Sequence, residues 1–277
     1  MTVSAFSREK KIMVGSGYME VDIFSRDPEQ DRVARSGHRN KRQRETAPAQ
    51  KNLNSKNARR YLEQLANGNF EDGDLFLTLT YKPELAPKTI AQAERYVTNY
   101  LRRVARRRKQ DHMEPLKYIL VTEAKTDEDG NVVGGVHHHL MINAMDRDLA
   151  ERMWTANRKK LGMANTRRMD KDMDKRGNHF AGLADYMAKD PQGKKRWSSS
   201  RNLKRPVSRA NDHKYRRRKV AQLAQDPAAA YTFYAEQYPD WEVVGPVEYT
   251  MNPVTGEWAC YLKMWRSPVH IGEKQRG

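Results

Sequence analysis

The chain has 277 residues, with 52 lysines and arginines against 35 aspartates and glutamates, so its formal net charge is +17 and its isoelectric point is near 9.9. This excess favours a polyanionic partner, either nucleic acid or an acidic membrane surface. Because no apolar run approaches the roughly 20 residues that cross a bilayer and no secretory signal opens the chain, we expect nucleic acid and no membrane. Cys260 is the single cysteine, which excludes an internal disulfide and predicts a reducing, cytoplasmic location.

The first 54 residues are predicted to be a flexible basic arm. Lysines and arginines stand there among Ser, Gly, Asn and Gln, with few large apolar residues after Phe24. An ordinary solubilising tail is the alternative. The mean hydropathy of the whole chain is −0.98, but its apolar residues are clustered, which indicates one compact domain with polar extensions, and we place this domain at residues 55–209.

The first elements of this domain follow from periodicity. From Ser55 the apolar residues recur at spacings of three and four, which predicts a helix that ends at Gly68. Residues 75–81 are then typical of a buried strand, which Pro83 stops. A second helix is predicted over residues 90–108, apolar on one side and strongly basic on the other.

Two further strands are predicted at residues 116–123 and 134–143. The turn-forming residues between them indicate an antiparallel hairpin with a long tip. The elements that follow are a helix from the N-cap Asp146 to Gly162, a short strand at 164–169 and a compact helix at 178–189. This order predicts an α+β fold, with helices packed on a central antiparallel β-sheet, and not a βαβ nucleotide fold.

Three consecutive histidines interrupt the second strand of this hairpin. Because side chains alternate between the two faces of a strand, His137 and His139 lie on one face, as a metal-binding pair requires. Glu123 ends the neighbouring strand and can lie beside the pair. Two imidazoles and a carboxylate would form a three-ligand cluster for a divalent metal ion, with open positions for water or substrate. A solvated strand end is the alternative for Glu123.

Tyr186 and Lys189 are three residues apart on the last predicted helix of the domain, so they share a helix face. A tyrosine phenol can attack a phosphodiester, and an adjacent ammonium can favour the phenolate. The pair alone is not specific, because a tyrosine on a helix is more often a core residue than a nucleophile.

Taken together, these motifs resemble those of the HUH endonucleases. They are, in order, the strand 76–81, Glu123 with His137 and His139, and Tyr186 with Lys189. Within that superfamily the chain is most similar to the bacterial plasmid and phage rolling-circle replication initiators, since residues 194–203 also look like the segment that follows the tyrosine helix in that group. The resemblance covers about residues 55–205.

The resemblance implies an RRM-like (ferredoxin-like) sheet and a metal-dependent, site-specific single-strand DNA nickase. Such an enzyme forms a covalent 5′-phosphotyrosine and leaves a free 3′-hydroxyl. The implied roles are the metal pair for His137 and His139, the third ligand for Glu123, the nucleophile for Tyr186 and its electrostatic helper for Lys189. Mg²⁺ or Mn²⁺ is the expected ion. Thr78 and Thr80 fall in the first motif and are expected to be structural.

His138 departs from the family pattern, which usually has a bulky apolar residue at this place. With Val136, Leu140 and Ile142 it would face the apolar side of the sheet, which indicates a buried neutral imidazole. A shifted sheet register would instead make His138 a ligand and one of its neighbours a bystander.

Basic segments at residues 102–109, 194–205 and 214–219 are expected to contact DNA phosphates. The residues singled out for DNA binding are Arg106, Arg107, Lys194, Lys195, Arg196, Trp197 and Arg201, with Trp197 as the candidate for base stacking. The expected partners are single-stranded DNA or an origin hairpin, a DNA polymerase and a host helicase. A helicase is needed because the chain has no phosphate-binding loop of a motor.

Residues 210–277 are predicted to form a C-terminal extension with a basic helix and a hairpin around residues 252–257. Other functions stay open. A conjugative relaxase or a single-tyrosine transposase would use the same chemistry, although the run 197–200 favours replication initiation. A non-catalytic RRM-like nucleic-acid-binding module would expose aromatic residues on its sheet, whereas these strands offer His, Thr and Glu.

Overall fold

The structure is a computed structural model that describes residues 5–29, 48–127, 131–170, 180–187 and 197–267. The chain forms two compact units. The central unit consists of residues 58–204, and the second unit joins residues 1–57 to residues 205–277.

The central unit contains one five-stranded sheet and a small hairpin. Its elements are α1 (Pro48–Asn69, which begins in the second unit), β3 (Leu75–Leu79), α2 (Ile90–Gln110), β4 (Tyr118–Thr126), β5 (Val132–Ile142), α3 (Arg147–Arg152), β6 (Thr155–Ala156), β7 (Lys159–Lys160), β8 (Ala164–Arg168), α4 (Ala181–Met187) and β9 (Ser198–Ser199). The strand order is β8-β3-β5-β4-β9, and every neighbouring pair is antiparallel. The predicted α+β fold with a central antiparallel sheet is confirmed.

The central strand β5 separates two apolar layers, because its side chains alternate between the faces of the sheet. Leu140 and Ile142 face α2, whose buried residues include Val97, Tyr100 and Val104. These helix positions are among those that the periodicity of the sequence predicts. The side chain of Thr89 caps the start of α2 by accepting a hydrogen bond from the Gln92 amide.

The opposite face of the sheet is covered by α1 and α4. Met141 of β5 packs there with Leu62 and Leu65 of α1 and with Ala184 and Met187 of α4. The sheet is therefore enclosed by helices on both sides, and residues 137 and 139 belong to the α1 and α4 side by the same alternation.

Arg108 of α2 is a structural residue and not the phosphate contact expected for this basic segment. It is 2% exposed and donates hydrogen bonds to the carbonyl oxygens of Glu114, Asn143 and Ala144. Its guanidinium thereby ties the end of α2 to the chain segments on either side of the β4–β5 hairpin.

The substitution Arg108→Ala is expected to lower the free energy of unfolding by about 3 kcal/mol, because it leaves buried carbonyl oxygens without their charged donor. Arg107 is the matched control, since it is exposed and forms a single ion pair with Asp111. Urea denaturation measures both variants. Arg107→Ala should keep the midpoint of the wild type, and an equally stable Arg108→Ala would contradict the structural role.

The predicted helix from Asp146 to Gly162 is wrong over its second half. Asp146 does cap the helix, accepting a hydrogen bond of 2.7 Å from the Leu149 amide, but α3 ends at Arg152. The chain then forms the β6–β7 hairpin, whose turn residues Asn157 and Arg158 have positive φ angles of 48° and 63°. Two consecutive left-handed residues are the conformation of a tight hairpin turn, which no helix can contain.

The second unit is built on another five-stranded sheet. Its elements are β1 (Phe6–Val14), β2 (Tyr18–Arg26), β10 (Val207–Asn211), α5 (Arg217–Leu223), α6 (Pro227–Gln237), β11 (Trp241–Met251) and β12 (Trp258–Arg266), with the strand order β10-β1-β2-β12-β11. The basic helix and the hairpin expected after residue 210 are present as α5 and as β11 with β12.

The expected flexible arm is wrong for its first part. Residues 6–26 form two buried strands that pair with each other and with β10 and β12. Val21 and Ile23 pack with Leu262 and with α5 and α6 in one apolar cluster. The basic residues of the arm, from Arg32 to Arg44, lie outside the described residues. Within the described ranges, no helix is long and apolar enough to cross a membrane.

Candidate active site

The site lies on the face of the sheet that α1 and α4 cover. Glu123 of β4 is the direct cross-strand partner of His137 on β5, and Thr78 of β3 is the partner of His139. Directly opposed residues of an antiparallel pair have neighbouring side chains on one face. The predicted carboxylate and the two predicted imidazoles therefore belong to one surface, with a threonine hydroxyl beside them.

His139 is held between a carboxylate and a hydroxyl. Its Nε2 atom is 3.5 Å from Oε2 of Glu123, and its Nδ1 atom is 3.3 Å from the hydroxyl oxygen of Thr78. Burial lowers the pKa of His139 below its ordinary value, although the neighbouring Glu123 carboxylate acts to raise it. The imidazole is therefore neutral at pH 7, the protonation state that metal coordination requires.

His137 is not gathered with the other two side chains. Its Nε2 atom lies 3.2 Å from the position that a β-carbon on Gly135 would occupy, so its ring leans along β5 toward Gly135 and away from His139. Gly135 has a φ of +30°, a conformation that suits glycine. Among the residues that the structure describes, no three His, Cys, Asp or Glu side chains lie together as a group that could hold a metal ion.

His138 lies on the opposite face, as its place between Val136 and Leu140 predicts. It is fully buried, its Nε2 atom is 2.7 Å from the Tyr81 hydroxyl and its Nδ1 atom is 2.9 Å from the Thr122 hydroxyl. Burial lowers the pKa of His138 to about 3. The buried neutral imidazole is confirmed, and the register that would point His138 toward Glu123 is wrong.

The helix α4, which carries Tyr186, packs on the same face as His139 and Glu123. Ala184 and Met187 of this helix, together with Phe180 just before it, share an apolar cluster with Met141 and Val121 of the sheet. Phe180 is fixed by its backbone amide, which donates a 3.1 Å hydrogen bond to Oδ1 of Asn67. The side chain of Tyr186 and the whole of Lys189 lie outside what the structure describes.

Two residues of this face were missed by the sequence reasoning. The ring of Phe76 stacks on His139, with centroids 6.0 Å apart and planes at 9°, and the Arg167 guanidinium lies 4.9 Å from the Phe76 centroid. Arg167 of β8 pairs directly with Phe76 and is exposed, so it offers a cation at the edge of the site. The signal was the alternation of β8, but a predicted strand as short as 164–169 did not reveal which strand it pairs with.

The expected DNA-binding residues are placed apart from one another. Arg106 and Arg107 are exposed on α2, which packs on the face opposite His139. Trp197 is partly buried and stacks on Tyr61, with ring centroids 6.3 Å apart, so part of its surface is used in packing. Arg201 is exposed after β9. Lys194, Lys195 and Arg196 lie outside the described residues.

Residues 74–191 match the family model of the replication-associated protein ORF2. This segment is less than half of the chain, and it runs from the residue before β3 to beyond α4, so it contains Glu123, His137, His139 and Tyr186. Comparisons with curated proteins and with solved structures found no match. The part of the chain that carries the site is thus similar to proteins associated with replication.

Proposed function

We propose that this protein initiates rolling-circle replication as a metal-dependent, site-specific nickase of single-stranded DNA that also rejoins strands. The observation that carries the proposal is the common face of His139, Glu123 and the helix of Tyr186. The similarity of residues 74–191 to replication-associated proteins supports the same biological role.

The donor set on this face fits a divalent ion, Mg²⁺ or Mn²⁺. A neutral imidazole nitrogen faces a carboxylate oxygen, and the Thr78 hydroxyl contacts the other ring nitrogen of His139, as groups that orient metal-binding histidines do. His137, the cross-strand partner of Glu123, would complete the set by turning its ring from Gly135. When bound, such an ion would polarise the scissile phosphate and stabilise charge on its oxygens.

Tyr186 would act as the nucleophile. Its phenolic oxygen forms a bond to the phosphorus of the scissile phosphodiester, and the bond from phosphorus to the 3′-oxygen breaks. The leaving 3′-oxygen takes up a proton, and the 5′-phosphate stays on the tyrosine. Because an unperturbed phenol has a pKa of about 10, it needs a nearby cation at neutral pH, and Lys189 would supply one.

The covalent bond conserves the energy of the phosphodiester, so the reverse reaction can rejoin strands at the end of a replication round. The free 3′-hydroxyl would serve a DNA polymerase as a primer, and a host helicase would separate the strands. Both partners belong to the proposal, as does a bacterial cytoplasmic setting.

The test is a denaturing gel of the purified full-length protein incubated with end-labelled single-stranded DNA from its own replicon. We expect an adduct that resists denaturant, appears with Mg²⁺ or Mn²⁺ and disappears with a chelator. A tight complex with the same DNA but no cleavage in either metal would favour a non-catalytic binding module. Cleavage of a transfer origin or of a transposon end, in place of a replication origin, would assign the protein to the relaxases or to the transposases.

A further inference from the structure

A pocket of about 320 Å³ lies between helix α2 and the β6–β7 hairpin, away from the site described above. It is lined by Arg95, Tyr96, Asn99, Arg103, Thr155 and Asn157, together with Ala156. Hydrogen-bond donors dominate this lining, and it contains no carboxylate. The pocket is therefore suited to an anion.

The pocket is held in shape by Arg103. This side chain donates two hydrogen bonds to the Met153 carbonyl oxygen, at 3.1 and 3.2 Å, and one of 2.6 Å to the Thr155 carbonyl oxygen. These bonds fasten the hairpin to α2. At the tip of the hairpin, the left-handed residues Asn157 and Arg158 form the turn beside the pocket.

The surface around the pocket is strongly basic. Arg158, Lys159 and Lys160 are consecutive and exposed on the hairpin. Arg95, Arg102 and Arg106 are exposed on α2 at spacings of seven and four, so they form one stripe along the helix. In the described part of the chain, none of these six side chains forms an ion pair.

This basic surface belongs to the side of the sheet opposite the candidate active site. α2 packs on the face that carries Leu140 and Ile142, whereas His139 projects from the other face of β5. A ligand bound at α2 and the hairpin is therefore separate from a strand bound at His139.

We propose that α2 and the β6–β7 hairpin bind the phosphate backbone of duplex DNA. Arginine, lysine, asparagine and threonine donors contact phosphates, which fix position without specifying sequence. Single-strand sites instead use exposed aromatic platforms, and Tyr96, the aromatic residue of this lining, is partly buried beside Tyr81. This inference rests on the proposed function, because a nickase at an origin has to hold paired DNA beside the strand that it cuts.

The experiment compares two double variants of the full-length protein, each of which removes two exposed positive charges. Arg95→Ala with Arg158→Ala changes the proposed surface, and Lys56→Ala with Arg59→Ala changes exposed residues of α1, on the other side of the sheet. Fluorescence anisotropy measures binding of a short blunt-ended DNA duplex over a series of salt concentrations. The first variant should lower the slope of log K against log salt by about 1.8, since each phosphate contact contributes roughly 0.9, and the α1 variant should change it much less.

A nicking assay on a single-stranded oligonucleotide separates this inference from the proposed function. We expect the Arg95/Arg158 variant to nick as the wild type does while it loses affinity for the duplex. If the wild type fails to nick but the variant still loses duplex binding, the surface stands and the proposed reaction falls. Equal salt slopes for the wild type and the Arg95/Arg158 variant, or an equal reduction in both double variants, would overturn the duplex surface.

Discussion

Replacing Tyr186 by phenylalanine is expected to abolish the covalent protein–DNA adduct and to leave binding of single-stranded DNA near that of the wild type. The substitution removes only the phenolic oxygen, which in the proposed reaction forms the bond to phosphorus. A denaturing gel with end-labelled DNA and Mn²⁺ measures the adduct, and anisotropy with the same oligonucleotide measures binding. Since no other nucleophile replaces the phenol, the expected loss is to background.

Tyr61→Phe is the matched control for this prediction. Tyr61 lies on α1, which packs on the same face of the sheet, and its ring stacks on Trp197. This variant should form the adduct at the rate of the wild type. An adduct that persists in Tyr186→Phe, or that disappears in Tyr61→Phe instead, would contradict the assignment of the nucleophile.

The core of the central unit could be predicted because its signals are local. The alternation of β5 assigns His138 and Leu140 to one face and His139 to the other, and the structure confirms this for all three. The 3.6-residue period of α2 likewise identifies the buried side of that helix, including Val97 and Val104. Each pattern needs only the residues of its own element.

The strands of the second unit could not be predicted in this way, because their polar residues are satisfied by partners far along the chain. Glu9 of β1 is 2% exposed, yet it accepts a hydrogen bond from the Tyr238 hydroxyl and lies 3.3 Å from Nζ of Lys214. From the sequence alone, a glutamate between basic residues indicates a solvated segment. The early end of α3 has a similar cause, since Arg103 of α2 binds the carbonyl oxygens that follow it.

The candidate site was predictable to the level of the sheet register and no further. Neighbouring strands could place Glu123 beside His137, and the structure pairs these two residues directly. Which ring nitrogen meets the carboxylate depends on side-chain torsions, and here His139 faces Glu123 while His137 leans toward Gly135. Contributions from β3 and β8, such as Thr78 and Arg167, required knowledge of the strand order.

His139→Gln is expected to reduce metal-dependent nicking about a thousandfold. The bound ion is expected to contribute several kcal/mol to the transition state, and each 1.36 kcal/mol corresponds to a factor of about ten in rate. Glutamine keeps much of the side-chain volume at this buried position but loses the imidazole nitrogen that faces Glu123. Single-turnover rates over a Mn²⁺ titration measure the loss, and isothermal calorimetry should show weaker Mn²⁺ binding in the absence of DNA.

The adjacent His138→Gln is the matched control, because the two substitutions are chemically identical and differ in the face of the sheet. His138 contacts the Tyr81 and Thr122 hydroxyls and its ring packs edge-on against Trp154, so its replacement should lower the free energy of unfolding by about 1–3 kcal/mol. At a temperature where this variant is folded, its Mn²⁺ affinity should remain close to that of the wild type. If His139→Gln keeps the Mn²⁺ dependence of the wild type, or if His138→Gln abolishes Mn²⁺ binding while it stays folded, then the metal is not held on the Glu123 face, because a ligand set formed by alternating residues of β5 admits one of these neighbours and excludes the other.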